Sequence, residues 1–88
     1  MTLAQYLRKR SKEICRDNEC TAEDHKCESY AYFATDDGGR LQLLDICYPD
    51  YFQGYSRPYA AIPLPWTGSQ KDLENQVADE IAEQEATS

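Results

Sequence analysis

Aliphatic side chains are scarce in this 88-residue sequence. Leu, Ile, Val and Phe together supply 14 residues, with a single Val, and this share lies below the roughly 20% at which a strongly charged chain is suspected of disorder. Seven Tyr, one Trp and four Cys provide further side-chain surface that can be buried. We therefore expect one small acidic domain over residues 1–88, since a second globular domain needs a longer chain.

Long apolar runs and the pattern of a secretory leader are also missing. The basic residues near the N-terminus follow an apolar patch, whereas a signal peptide starts with basic residues and continues with about 7 to 15 apolar ones. The apolar run over residues 60–66 is far shorter than the roughly 18 residues of a membrane-spanning helix. We expect no membrane association and a cytoplasmic location, which is the host cytoplasm if the protein is phage-encoded.

Histidine occurs once, at position 25, and this limits the catalytic chemistry that the chain can offer. A nucleophilic cysteine could find an imidazole base only in His25. The sequence contains no glycine-rich phosphate loop, no helical pair of histidine ligands and no strand-turn-helix nucleophile motif. We therefore expect a protein that is not an enzyme and that uses no cofactor.

Cys15, Cys20, His25 and Cys27 lie close together in the sequence, and Cys47 follows them. Zinc takes four thiolate or imidazole ligands, but structural sites usually hold pairs of ligands separated by roughly two to four residues, and this spacing differs. Free thiols in a reducing cytosol are the favoured interpretation, so we expect no bound metal. Two alternatives stay open: a small zinc-binding or thiol redox module built on these four residues, and a disulfide such as Cys20 with Cys27.

The N-terminal region predicts an amphipathic helix over residues 2–16. At about 100° per residue, Leu3, Leu7 and Ile14 fall on one side of this helix, with Tyr6 beside them. Most of the basic residues fall on the opposite side, and those in the second half complement the negative end of the helix dipole. The apolar side is expected to pack on the core.

The middle of the chain predicts a β-hairpin. Two runs rich in strand-forming residues, 29–35 and 40–48, flank the turn at residues 36–39, where Asp and Gly tolerate the positive φ values of a tight turn. Both runs are apolar on both faces, which predicts a sheet covered by helices on one face and partly covered on the other. Residues 59–62 predict a short third strand at a sheet edge, ended by Pro63.

The C-terminal region predicts a second helix. Ser69 is its expected N-cap and Asp72 its third residue, an arrangement that resembles a capping box. Leu73, Val77 and Ile81 recur every four residues, and we expect this side of the helix to face the core.

The succession of helix, hairpin, short strand and helix predicts the α+β fold class. We expect an antiparallel sheet of two to three strands, with the C-terminal helix packed on one of its faces. Residues 83–88 place carboxylates at the helix end that prefers cations, so we expect this segment to fray.

Charge is distributed unevenly along the chain. Residues 1–16 contain five basic residues and one acidic residue, a net charge of +4, whereas residues 17–88 have a net charge of −11, and together these give the total of −7. An array of carboxylates can contact the Lys and Arg side chains that a nucleic-acid-binding protein uses for phosphates, although a solubilising acidic surface is the alternative interpretation. The carboxylates expected to contact a partner are those of Asp36, Asp37, Asp72, Asp79 and Glu83.

Aromatic residues are concentrated between residues 48 and 59, where five rings accompany Arg57. Tyrosine is enriched at the energetically important positions of protein interfaces. Base stacking uses the same kind of ring but needs a basic groove, so we do not expect direct binding of nucleic acid. The alternative is that several rings complete a core that is poor in aliphatic residues. The aromatic residues expected to contact a protein partner are Tyr51, Phe52, Tyr55 and Tyr59.

Two resemblances bear on function. The predicted element order resembles that of double-stranded RNA-binding domains, but those modules carry basic residues on the C-terminal helix, whereas residues 70–88 contain one Lys and six acidic residues.

In size, acidity and tyrosine content the chain is similar to phage and mobile-element proteins that block host defence, including anti-CRISPR proteins and anti-restriction DNA mimics. This resemblance implies an inhibitor or modulator that occludes a basic nucleic-acid-binding protein. An adaptor subunit of a larger assembly is the remaining alternative.

Overall fold

Two helices cover one face of a three-stranded antiparallel sheet in the computed structural model, which describes residues 1–20, 29–53 and 56–87. The strands follow the spatial order β2-β1-β3, so the first strand in the chain is the central one. The elements are α1 (Leu3–Asp17), β1 (Tyr30–Thr35), β2 (Leu41–Cys47), a short 3-10 helix (Pro49–Tyr51), β3 (Ala60–Pro63) and α2 (Gln70–Thr87). The fold is α+β, as the sequence predicts.

Helix α1 begins with a capping box that the sequence analysis did not identify. The Thr2 hydroxyl accepts a hydrogen bond from the Gln5 amide at 3.2 Å, and the Gln5 side chain accepts one from the Thr2 amide at 2.9 Å. The two bonds satisfy amide groups that have no partner within the helix, because the first turn of a helix leaves its N–H groups unpaired.

The buried side of α1 differs from the predicted one. Leu7 is fully buried, and Leu3 and Ile14 are partly buried against the core, as expected, but the fully covered neighbours of Leu7 are Ala4 and Ser11. The reason is a tertiary contact, because the Ser11 hydroxyl accepts a hydrogen bond from the amide of Trp66 at 2.9 Å. Small side chains on this side also allow the helix to approach its neighbours closely.

The predicted hairpin is confirmed. One oxygen of the Asp36 carboxylate accepts hydrogen bonds from the amides of Gly38 and Arg40, both at 2.9 Å, and Gly39 adopts a φ of 79° that side chains other than glycine rarely tolerate. The register of β1 with β2 shifts where Tyr32 faces Asp45, which makes a β-bulge in β2.

The third strand is confirmed with different limits. It covers Ala60–Pro63 and pairs with β1, so Pro63 is its last residue rather than the residue after it. The amide and the carbonyl of Tyr59 both bond to the side chain of Gln84, which places them on the outer side of the sheet. Because backbone direction alternates along a strand, the nitrogen of Pro63 also points outward, where a missing N–H removes no bond to β1.

Both edges of the sheet are protected against further strand pairing. The side chain of Gln84 makes the two hydrogen bonds to the Tyr59 backbone that a neighbouring strand would otherwise make. Its oxygen accepts from the Tyr59 amide at 3.1 Å, and its NH2 group donates to the Tyr59 carbonyl. At the opposite edge, the Ile46 amide donates to the Asp45 side chain at 2.8 Å, next to the bulge. Side chains and bulges of this kind disfavour edge-to-edge aggregation.

Helix α2 begins with the predicted capping box. The Asp72 amide donates to the Ser69 hydroxyl at 3.1 Å, and the Ser69 amide donates to the Asp72 carboxylate at 3.3 Å. Leu73 and Val77 are fully buried and Ile81 is nearly so, as predicted. The helix extends to Thr87, so most of the segment expected to fray is helical here, and fraying in solution stays a prediction.

The core lies between the helices and the sheet face that carries Ala31 and Phe33. Its largest fully buried side chains are those of Phe33, Leu7, Ile62, Leu73 and Val77. Trp66 packs against this cluster, and Gly68 is required beside it because a Cβ there would lie 2.6 Å from the indole ring. Neither of the described helices is long and apolar enough to cross a membrane.

Candidate functional site

The sheet face that the helices leave open is lined by aromatic rings. Tyr30 and Tyr32 occupy alternate positions of β1 and therefore share this face, opposite the face of Phe33. After β2, the chain returns across the open face and places Phe52 on Tyr32, with the ring centroids 3.8 Å apart and the planes 8° apart. The ring of Tyr59 lies 5.0 Å from Phe52 and 6.0 Å from Tyr32.

This stacked group covers the middle of the sheet face that the helices leave open. Tyr32 is 4% exposed although it faces away from the helices, and Phe52 and Tyr59 are half-buried. Burial raises the pKa of the Tyr32 hydroxyl, because a phenolate is poorly stabilised away from water. Phe52 and Tyr59 are therefore partly buried in a stack on the sheet face opposite the main core, and the interpretation that rings of residues 48–59 complete that core stays a prediction.

A second pair of rings, Tyr48 and Tyr51, lies at one end of the same face and is open to solvent. The side chain of Tyr51 is 73% exposed and that of Tyr48 is 39% exposed. Their centroids are 6.2 Å apart with 52° between the ring planes. The intervening 3-10 turn fixes the backbone between them, since the Tyr51 amide donates to the Tyr48 carbonyl at 3.0 Å and Pro49 has a restricted φ. Two exposed tyrosine rings offer a partner large contact area with few rotatable bonds to immobilise.

Three adjoining grooves connect the two aromatic pairs along β3. The central groove lies among the rings of Tyr30, Tyr32, Phe52 and Tyr59. It shares Tyr59 and Ala61 with a groove that contains Glu80, Glu83 and Gln84. At the other end it shares Tyr30 and Pro49 with a groove that contains Tyr48, Asp50, Tyr51 and Pro63. We call this continuous surface the β3 groove, and among the described residues that line it there is no Lys or Arg.

Glu80 is the one carboxylate of the β3 groove with a buried oxygen that lacks a hydrogen-bond partner among the described residues. Burial raises the pKa of this carboxyl, and the negative charge of Glu83 adds to the rise, whereas the backbone of Ala61 opposes it. The protonated form of Glu80 is therefore favoured more strongly in the folded chain than in the unfolded one.

The predicted acidic contacts do not form one surface. The Asp36 carboxylate is used by the hairpin turn, and Asp37, at 99% exposure, lies 3.4 Å from Arg57. Asp72 contributes to the capping box of α2, and Asp79 is exposed on the side of α2 that faces away from the core. Of the five, Glu83 alone reaches the β3 groove among the described residues.

The predicted aromatic contacts have different roles. Tyr51 is exposed, as a binding residue needs to be, whereas Phe52 and Tyr59 are partly buried in the stacked group. Tyr55 lies outside the described residues. Sequence reasoning did not select Tyr30, Tyr32, Asp50, Glu80 or Gln84 for the site. Alternation in β1 could have placed Tyr30 and Tyr32 on one face, but nothing in the sequence signals that α2 reaches the edge of β3.

The cysteine and histidine set is only partly visible. His25 and Cys27 lie outside the described residues, so the proposed zinc or redox set stays a prediction. Within residues 1–20, 29–53 and 56–87, no three His, Cys, Asp or Glu side chains converge on a point that could hold a metal ion. Burial and the nearby Asp45 raise the pKa of the Cys47 thiol, which favours an unreactive thiol over a thiolate.

The geometry of the β3 groove is suited to binding. Tyrosine faces attract cations and apolar side chains, and carboxylates at both ends of the groove attract Lys and Arg. Compared with protein-family models, with curated proteins and with solved structures, the chain shows no significant match.

Proposed function

We propose that this protein is a non-enzymatic binding module that occludes the basic, nucleic-acid-binding surface of a protein partner. The observation on which this rests is the exposed pair Tyr48 and Tyr51, carried on a 3-10 turn beside Asp50 at one end of an aromatic sheet face. Exposed aromatic rings held in one geometry are typical anchors of protein interfaces. The Asp50 carboxylate beside these rings favours a partner with Lys or Arg side chains.

The acidic body of the protein supports the same proposal. Residues 17–88 have a net charge of −11, and Asp79 and Glu83 are exposed on α2. A negative surface attracts a basic partner over about 10 Å at 0.1 M salt and raises the association rate. We expect the aromatic rings to set the dissociation rate, because the contacts that they bury in the complex have to be broken before the partner can leave.

The compositional similarity to phage and mobile-element inhibitors suggests the biological setting. An inhibitor of the anti-CRISPR or anti-restriction type would act in the host cytoplasm, and we include this location in the proposal. An occluded partner needs to be a protein that contacts phosphates through Lys and Arg, since those are the side chains that a carboxylate array can engage.

A competition experiment tests this function. Proteins captured from a bacterial lysate by the immobilised chain would be identified by mass spectrometry, purified, and assayed for duplex DNA and RNA binding with and without the chain. The expected partner binds nucleic acid, and increasing concentrations of the chain displace that nucleic acid completely. A partner that keeps its nucleic-acid affinity when saturated with this protein would exclude occlusion. The Asn75→Ala variant, altered at an exposed position of α2, serves as a control that should displace nucleic acid as well as the original chain does.

A further inference from the structure

The β3 groove has a defined length and direction. Tyr59 immediately precedes β3, and Ala61 and Pro63 follow it at alternate positions of that strand. The side chains of all three therefore face the open side of the sheet. Each of them lines the β3 groove. Four residues of extended chain cover about 13 Å, and we take this distance along the strand from Tyr59 to Pro63 as the length of the groove.

Negative charge lies at both ends of this length, and aromatic surface lies between. Glu83 flanks the groove beside Tyr59, Asp50 flanks it beside Pro63, and the partly buried carboxyl of Glu80 lies at the backbone of Ala61. The central part is formed by rings and by Ala61, and no described residue that lines it has a positive charge. Such a pattern complements a ligand with two cationic groups separated by an apolar part.

We propose that the β3 groove binds an extended segment of the partner in which two Arg or Lys residues lie four positions apart with small apolar residues between them. This proposal rests on the function proposed above and names the element of the partner that is recognised. An extended chain with side chains at positions i and i+4 spans about 13 Å, which matches the length of the groove. The Tyr51 ring can cover the cationic side chain next to Asp50.

The segment lies over the face of the sheet and does not add a strand to its edge. The outward amide and carbonyl of Tyr59 are already bonded to Gln84, so a partner strand would have to displace that side chain. Nucleic acid is disfavoured as the occupant because carboxylates at both ends repel phosphates. A purely apolar ligand is disfavoured because it would take these carboxylates out of water without offering them a hydrogen bond or a charge.

Peptide titrations test the proposal on the full chain. The probe is an acetylated and amidated pentapeptide, arginine-alanine-valine-alanine-arginine, added to the 15N-labelled protein while amide chemical shifts are recorded. One control peptide has glutamine in place of both arginines, and the other has the same composition with the two arginines adjacent. We expect the probe to shift the amides of Asp50, Tyr59 and Ala61, to bind about 10-fold more tightly than the glutamine peptide, and to bind about 3-fold more tightly than the adjacent-arginine peptide.

Matched variants locate the binding. Asp50→Asn and Glu83→Gln should each weaken the probe about 3-fold, whereas Glu74→Gln, at an exposed position of α2 that does not line the groove, should leave its affinity unchanged. Equal affinities for the two arginine peptides, or equal weakening by Glu74→Gln, would overturn the proposal in favour of unspecific charge attraction, as would the absence of shifts near the groove. If Asp50→Asn and Glu83→Gln still displace nucleic acid from the partner as the original chain does, the groove proposal fails while the proposed function stands. If the chain displaces nucleic acid from none of the captured partners, the proposed function itself is contradicted.

Discussion

The ring of Phe52 lies parallel on the ring of Tyr32, with a centroid separation of 3.8 Å and an interplanar angle of 8°. The neighbouring residue, Tyr51, points away and is 73% exposed. Two adjacent aromatic residues therefore have separate roles. Phe52 packs the returning chain against the sheet, and Tyr51 is left exposed on the turn beside it.

Substitution of these two residues should separate stability from binding. Phe52→Ala should lower the free energy of unfolding by about 2 kcal/mol, because it removes a half-buried ring and its stacking contact. Tyr51→Ala should change that free energy by less than about 0.5 kcal/mol, because its ring is mostly in water. Urea denaturation followed by circular dichroism measures both. A larger loss for Tyr51→Ala than for Phe52→Ala would show that the assignment of roles is inverted.

Removal of the Gln84 amide should weaken the fold and open a sheet edge. Gln84→Ala eliminates both bonds to the Tyr59 backbone, and we expect a loss of about 1 to 2 kcal/mol in unfolding free energy. The unprotected edge of β3 should also promote association, visible as light scattering that increases with protein concentration. Asn75→Ala, on the exposed side of the same helix, is the control and should do neither. Wild-type stability and scattering in Gln84→Ala would mean that the amide group does not guard this edge.

The buried carboxyl of Glu80 should make stability depend on pH. Its pKa in the folded chain lies above the ordinary value of 4.5, so the folded state binds more protons than the unfolded state between these two values. The stabilisation is complete below about pH 4.5 and is lost as the pH rises through the folded-state pKa. Glu80→Gln mimics the protonated form, so its melting temperature should match that of the original chain at low pH and exceed it at pH 7.

The control for this pH effect is Glu74→Gln. Glu74 is an exposed carboxylate on α2, so its replacement should leave the melting temperature close to the original at every pH. The measurement is a series of thermal melts from pH 4 to pH 7, which starts below the ordinary carboxyl pKa of 4.5 and rises through the range above it. A difference between Glu80→Gln and the original chain that stays constant over this range would contradict a raised pKa of Glu80 in the folded chain.

Asp72 should affect stability and Asp79 should affect association. Asp72→Ala breaks the capping box with Ser69, and we expect a loss of about 1 kcal/mol in unfolding free energy. Asp79→Asn leaves the fold intact, but it should slow association with a basic partner and reduce the dependence of the rate on salt. Urea denaturation and stopped-flow mixing at several salt concentrations give the two quantities. An unchanged association rate and salt slope in Asp79→Asn would exclude this side of α2 from the encounter.

Much of the fold could be predicted from the sequence because its determinants are local. The Asp and Gly residues of the turn at residues 36–39 bond within a few residues of each other. Ser69 and Asp72 cap α2 across three residues, and Leu73, Val77 and Ile81 follow the period of the helix. Signals of this kind do not depend on how distant segments meet.

The candidate site was harder to predict because it depends on contacts between distant segments. Phe52 and Tyr59 have the composition of interface residues, yet their stacking on Tyr32 follows from the path of the chain between β2 and β3. Gln84 and Tyr59 are 25 residues apart, and no periodicity signals their contact. The buried side of α1 is shifted from the predicted one towards Ala4 and Ser11 for the same reason, since Ser11 bonds to the distant Trp66.

The affinity of the Tyr51→Ala variant for the captured partner tests the central claim most directly. Circular dichroism and urea denaturation would first establish that the variant is folded to the same extent as the original chain, and isothermal titration calorimetry would then compare their dissociation constants. If the exposed rings at the end of the open sheet face anchor the partner, the dissociation constant should rise at least about 10-fold. An unchanged dissociation constant in the folded variant would contradict the placement of the binding surface on this face.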